Sequence, residues 1–346
     1  MRLMPVSTLR TSHKVAIDII NEKYQILLAS QCQFTNIIIN RLQTTNIVYV
    51  YINDQYSSDI TLQTYTSQME HIITKISPIN EMYNCISEDK KNLEILLTVI
   101  HTINDIIYEL SLSPNCRLTY EPNKFISEST AETNLYIAIT CGLFALKLGW
   151  DTSEIINLCL AALFRDIGFI APKTNVKGAQ NLKVMHPIVG AAYLEENYEL
   201  PEEVLNIIKE HHESYDGAGF PLRLKGNKIC KGARVLKIVE LYYDLLEKLY
   251  KAPTRIATLE ADIKKRESYL DPVYLELFLK NTDVLPKDML LELSNGDICV
   301  VVKTNKDAPF VPRVRVLESK KPDNKNKIIN LANPGTPKIK SIIYNI

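Results

Sequence analysis

His211-His212-Glu213-Ser214-Tyr215-Asp216-Gly217-Ala218-Gly219-Phe220-Pro221 is the stretch that decides how the rest of this sequence is read. Two imidazoles close a helical pattern that opens at Pro201-Glu202-Glu203, and the chain then enters a Gly-rich loop stopped by proline. Neutral histidines are good ligands for divalent transition metals, and a carboxylate close by can orient them or share the ion. Alone, a histidine pair at a helix end is unremarkable. Its meaning depends on what other helices bring beside it.

Three more residues of ligand type stand in comparable places. Asp166 follows an apolar run, Ile155 to Phe164, in the sequence Phe164-Arg165-Asp166-Ile167-Gly168. That run is apolar almost all round and opens with Asp151-x-x-Glu154, a capping-box pair, which predicts a helix in the middle of a bundle. His186 lies in Met185-His186-Pro187, and Glu240 sits between Val239 and Leu241 in a helical pattern from Ala233 to Lys248. An acidic side chain in such surroundings needs a buried partner. Several helices, each delivering one or two such residues toward a bundle core, is how an all-α fold builds a metal pocket. A further helix, Ala131 to Lys147, precedes them and stops at Gly149.

The 346 residues allow more than one domain, and 46% hydrophobic with 23% charged residues is the mixture of a compact protein. Forty basic residues balance forty acidic ones, so no global field draws the chain to nucleic acid or an anionic membrane, and neither is expected as a partner. The seven cysteines form no CxxC pair and read as reduced, buried thiols. No run reaches the roughly 18 apolar residues of a membrane span, and the N-terminus lacks a signal-peptide pattern, so the expected location is cytoplasmic.

The fold expected is mainly α, a helical bundle flanked by two small units. Residues 1–58 read as a small α+β unit, with β-like runs at Val15 to Ile20, Tyr24 to Leu28 and Ile47 to Ile52 and a helix near Asn36 to Gln43. Residues 59–120 read as a helical connector carrying Leu93, Leu96, Leu97, Ile100 and Ile103 at helical spacing, a core or packing seam. After the bundle of residues 121–282 the period drops to two. Leu290 to Leu293, Asn295-Gly296 and Ile298 to Lys303 predict a hairpin, and Arg313 to Leu317 a further strand, in a β unit of residues 283–318. Residues 319–346, rich in Lys, Asn and Pro, read as a mobile tail.

From about residue 124 to 280 the sequence resembles an HD-GYP domain, the branch of the HD superfamily associated with cyclic di-GMP hydrolysis in bacterial signalling. The resemblance covers a little under half the chain. It rests on the run from His211 to Pro221, with Gly219-Phe220-Pro221 in place of Gly-Tyr-Pro, on Leu163 to Gly168, on His186-Pro187 with Gly190, and on Ala233-Arg234-Val235-Leu236. It implies an HD-type fold, a divalent metal (iron or manganese), cyclic di-GMP as ligand, and a metal set of Asp166, His186, His211 and His212, with Glu240 standing for a late aspartate. It also implies ligand contacts from Asp216, Gly217, Gly219, Phe220 and Pro221.

Several positions depart from the family pattern. Thr133 stands where a histidine of the preceding helix is expected, and the His-Asp pair itself reads Arg165-Asp166, so two ligands of the first metal are missing and at most one ion per chain is expected. Phe169 replaces a phosphate-binding lysine, and the segment that would supply an arginine reads Leu246 to Lys251, leaving Lys248 as the nearest cation. Guanidinium stays protonated and cannot be a ligand. Facing a divalent ion, it would cost roughly twice the ~4 kcal/mol of two unit charges at about 4 Å and an effective dielectric near 20. Arg165 therefore either fills the first-metal position as a fixed cation or points away and leaves an incomplete site. In the first role it joins Asp166 as a catalytic candidate. Four readings stay open: a binding protein with weak or absent hydrolysis, an active phosphodiesterase with a variant site, an interaction module that engages a signalling protein through the Gly-Phe-Pro loop, and a purely structural relic. A homodimer is a further association considered.

Overall fold

The computed structural model describes residues 1–21, 23, 25–57, 74–112, 117–124, 130–172 and 181–346. The architecture is mainly α, as expected, with a helical body and small sheets at both ends of the chain. In the N-terminal unit, strands β1 (Arg2–Pro5), β2 (Lys14–Val15) and β5 (Tyr49–Asn53) form an antiparallel sheet in the order β1-β5-β2. A short pair, β3 (Ile19–Ile20) and β4 (Ile26–Leu28), and helix α1 (Asn36–Gln43) complete it. Strand β1 escapes the sequence reading because its four residues, Arg-Leu-Met-Pro, alternate in burial without β-branched side chains.

Helices α2 (Ser77–Ser87) and α3 (Leu93–Ser111) lead into the bundle of α4 (Thr130–Lys147), α5 (Thr152–Phe164), α6 (Leu182–Asn197), α7 (Glu202–Glu210) and α8 (Lys231–Lys251). Two shorter helices, α9 (Leu259–Lys264) and α10 (Pro272–Asn281), close it. Helix α5 lies at the centre, with every residue from Leu158 to Phe164 buried. Its capping box is complete: Glu154 N–H donates to Asp151 and Asp151 N–H donates to Glu154. Pro201 is the residue before α7 rather than inside its first turn, and the helix ends at Glu210, one residue short of the histidine pair. Gly149, at φ +73°, ends the turn after α4 in the left-handed conformation that a C-terminal cap needs.

The C-terminal sheet contains five antiparallel strands in the order β10-β6-β7-β8-β9, from β6 (Leu290–Leu293), β7 (Ile298–Lys303), β8 (Arg313–Glu318), β9 (Ile328–Asn330) and β10 (Ile339–Ile343). The hairpin at Asn295-Gly296 is present, with Gly296 at φ +85°. Residues 319–346 are not a tail. They supply β9 and the edge strand β10, which pairs with β6 through Ile342↔Leu291 and Ile343↔Leu290 and buries Ile342. The polar composition of this stretch hid two short strands whose pairing partners lie 13 to 53 residues earlier.

The end units touch each other and the bundle. The N-terminal amine lies 3.1 Å from Asp288, and Arg2 donates to the Tyr344 carbonyl while pairing with Asp54. Tyr51 donates to Glu121, and Val48 N–H donates to the Lys124 carbonyl, which fixes the first sheet beside the entry to α4. Among the described residues the cysteines are unpaired, three of them buried and three half-buried, and no helix is long and apolar enough to cross a membrane. Cys116 lies outside the described residues.

Candidate metal centre

Four helices converge on Asp166. The residue sits just past the end of α5, His186 one turn into α6, His211 and His212 just past α7, and Glu240 in the middle of α8. Close packing of the turn Ile167–Phe169, which follows α5, on α6 depends on Gly168, where a Cβ would collide with the His186 carbonyl oxygen. One ligand-type atom from each of Asp166, His186, His211 and His212 lies within 4.8 Å of all the others.

The hydrogen bonds around these rings decide what the cluster can hold. His186 Nδ1 lies 3.0 Å from the Leu182 carbonyl and His211 Nδ1 lies 2.8 Å from the Ile208 carbonyl. A carbonyl only accepts, so each Nδ1 carries the proton, and in the neutral ring each Nε2 presents a lone pair. The two Nε2 atoms face each other at 3.4 Å, and Asp166 Oδ1 lies 3.4 Å from one and 3.9 Å from the other. Burial pushes His211 down to about 3 and His212 down to about 2, the latter helped by His211 and Lys237, so both rings are neutral at ordinary pH. Burial would raise Asp166, but the Arg165 charge beside it opposes the rise and holds the carboxyl below its usual range. Converging acceptors without a donor between them repel one another unless a cation intervenes. The donor set, three imidazoles and a carboxylate with carbonyl-anchored rings, fits a divalent transition metal.

On the other side of Asp166 the chain supplies its own cation. The Arg165 side chain is buried, with Nε 2.6 Å from Glu240 and 3.3 Å from the second Asp166 oxygen, and Nη1 donating to the Ala162 carbonyl at 2.5 Å. The Nε–Glu240 contact is a charge contact; its N–H vector misses hydrogen-bond alignment. Burial raises the Glu240 pKa and Arg165 opposes the rise. Glu240 is thus held by Arg165 and lies outside the four-residue cluster. Thr133 accepts from and donates to the Asn123 amide and lines, with Arg165, Glu240 and Tyr243, a cavity of about 570 Å³ that reaches Tyr49 of the N-terminal sheet.

The Gly-rich loop packs on the histidines. Phe220 lies over His212 at 4.7 Å between ring centroids, ahead of a cis bond to Pro221, and Gly219 has no room for a Cβ beside Glu213 and Ser214. Gly217 takes φ +86°, and Asp216 caps the Ala218 N–H. Lys248 stands apart, exposed and paired with Asp244. Three residues escaped the sequence reading in these roles. Buried Glu213 accepts from the N–H groups of Leu222, Arg223 and Leu224 and so clamps the loop. Half-exposed Phe169 stacks on His186 at 4.2 Å. Lys237, three residues before Glu240 on α8, brings its amine to 3.5 Å from the His212 carbonyl. Only helical spacing from Glu240 could have marked it.

A buried His-rich cluster set between helices of a bundle defines the class, and similarity to known proteins agrees with it. Residues 115–273 match the HD domain family and residues 290–344 match the KOW domain associated with HD domain. The chain is 26% identical over 229 residues to the cyclic di-GMP phosphodiesterase PA4108 of Pseudomonas aeruginosa, covering 62% of this chain and 55% of that protein. It is 34% identical over 103 residues to a probable cyclic di-GMP phosphodiesterase of Vibrio cholerae, covering 27% and 23%. To the 3'3'-cGAMP-specific phosphodiesterase 2 of Vibrio cholerae it is 23% identical over 213 residues, covering 58% and 39%. The chain spans about half or less of the length of these relatives. Over residues 115–273 the chain is therefore similar to HD-domain proteins, and the relatives it resembles include phosphodiesterases of cyclic dinucleotides.

Proposed function

We propose that this chain is a cyclic-dinucleotide-binding member of the HD-GYP family whose centre holds one divalent ion, and that it hydrolyses cyclic di-GMP slowly or not at all. The observation that carries this reading is the Arg165 guanidinium between Asp166 and Glu240, at the place where two imidazoles and a second ion would otherwise share the carboxylate. A bound ion supplies water activation and charge stabilisation for phosphodiester cleavage, and a pair stabilises both attacking and leaving oxygens. With Arg165 in place, the residues left to the ion are Asp166, His186, His211 and His212. Phe169 and Phe220 give the histidines an aromatic cover where a phosphate would favour cations, and Lys237 brings its amine to the His212 carbonyl.

Arg165 is poorly placed to act on substrate itself. Its side chain is 6% exposed, and its charge is already shared between Glu240 and Asp166. The test is elemental analysis of the purified protein, then incubation with cyclic di-GMP and with 3'3'-cGAMP and separation of linear products. The expected outcome is at most one ion per chain, measurable dinucleotide binding, and turnover far below enzymatic rates. Sustained turnover on the order of 1 per second would overturn the reading.

A further inference from the structure

Helix α3 has two apolar sides, and among the described residues only one is covered. Leu96, Val99, Ile103, Ile106, Ile107 and Leu110 face the core. On the opposite side Leu93 and Leu97 are 51% and 55% exposed, and Tyr108 and Leu112 are 65% and 67% exposed, with His101 and Asn104 exposed between them. At 3.6 residues per turn these six positions fall within an arc of about 100°, a continuous stripe along a helix roughly 28 Å long. Single exposed leucines need no explanation, but a stripe of this length marks an interaction surface.

The order of residues along the stripe points to its occupant. Leu93, Leu97 and His101 are followed by Asn104, Tyr108 and Leu112, so the pattern runs apolar, apolar, polar and then polar, apolar, apolar. A two-fold axis between residues 102 and 103 sets Leu93 against Leu112, Leu97 against Tyr108 and His101 against Asn104 of a second copy. Such self-complementarity is the requirement of an isologous interface. Charge agrees with the antiparallel arrangement. Glu94 and Asp105 are exposed along one edge of the stripe, and the two-fold keeps that edge on the same side in both copies. Asp105 of the second copy then comes beside His101. In a parallel pair each His101 would meet its own copy instead.

We propose that the chain forms a two-fold dimer in which two copies of α3 pack antiparallel through Leu93, Leu97, His101, Asn104, Tyr108 and Leu112. The dimer is independent of the metal count and of dinucleotide binding. Sedimentation equilibrium of the full chain at tens of micromolar should give about twice the monomer mass of 39.4 kDa. Leu97→Asp should return it to the monomer mass with an unchanged helical spectrum; Tyr108→Lys, at an even more exposed position, serves the same purpose should the first variant misfold. A variant carrying both Leu97→Cys and Tyr108→Cys should form a covalent dimer on oxidation, while Leu97→Cys alone should not. A monomeric parent protein, a dimer that survives both charged substitutions, or cross-linking by Leu97→Cys alone would each overturn the proposal.

Discussion

Asp166 has two sides, and they differ in where the positive charge comes from. Toward α6 and α7 it meets imidazole nitrogens that offer lone pairs, an arrangement that a cation from solution would stabilise. Toward α8 it meets Arg165, a cation built into the chain and balanced by Glu240. The comparison teaches that the carboxylates at such a centre need positive charge, whether from an ion or from a side chain. A guanidinium meets that need permanently, and under the proposed function it stands where an ion would bring its chemistry.

The largest effect should come from exchanging the second kind of side for the first. Thr133 and Arg165 line one cavity with Glu240, so Thr133→His and Arg165→His together should add two imidazoles beside two carboxylates. The double variant should bind one more manganese or iron ion per chain than the parent and gain hydrolysis by more than the combined effects of the single changes. Metal titration and product analysis of all four proteins check this. A folded double variant with no added ion would show that the two positions do not form a site.

Removing the built-in cation without a replacement should be costly. Arg165→Ala leaves the half-buried Glu240 without its partner and should destabilise the metal-free protein by up to about 3 kcal/mol, read by urea unfolding. Arg165→Met combined with Glu240→Leu should recover most of that loss. Glu213 offers a smaller test on the histidine side. Glu213→Gln places an amide nitrogen among three backbone donors and should cost about 1–3 kcal/mol. Faster proteolysis at Leu222 to Leu224 would accompany the loss if the clamp holds the loop. The smallest effect expected is from Phe169→Lys, which restores a cation over His186. It should strengthen cyclic di-GMP binding by roughly the 1 kcal/mol of an exposed charge contact, and high salt should abolish the gain in a titration.

Legibility in the sequence followed the same division. The central helix, its capping box, the stop at Gly149 and the β6–β7 hairpin were visible because local signals fix them. Convergence of Asp166, His186, His211 and His212 was foreshadowed by ligand-type residues at helix ends. What stayed hidden depended on partners far along the chain. Strand β10 gains its meaning only from β6, some fifty residues away. The role of Glu240 rests on Arg165, and the sequence left open which way that guanidinium turned. Glu213 reads as an ordinary loop acid until its three backbone donors are in place.

The central claim is that a side chain occupies the place of one ion, and metal stoichiometry tests it most directly. The unaltered protein should be loaded with excess manganese or iron, freed of loosely bound metal by gel filtration, and analysed for metal per chain. The account predicts no more than one ion, lost in a variant carrying both His186→Ala and His211→Ala. Two or more tightly held ions per chain in the unaltered protein would contradict it.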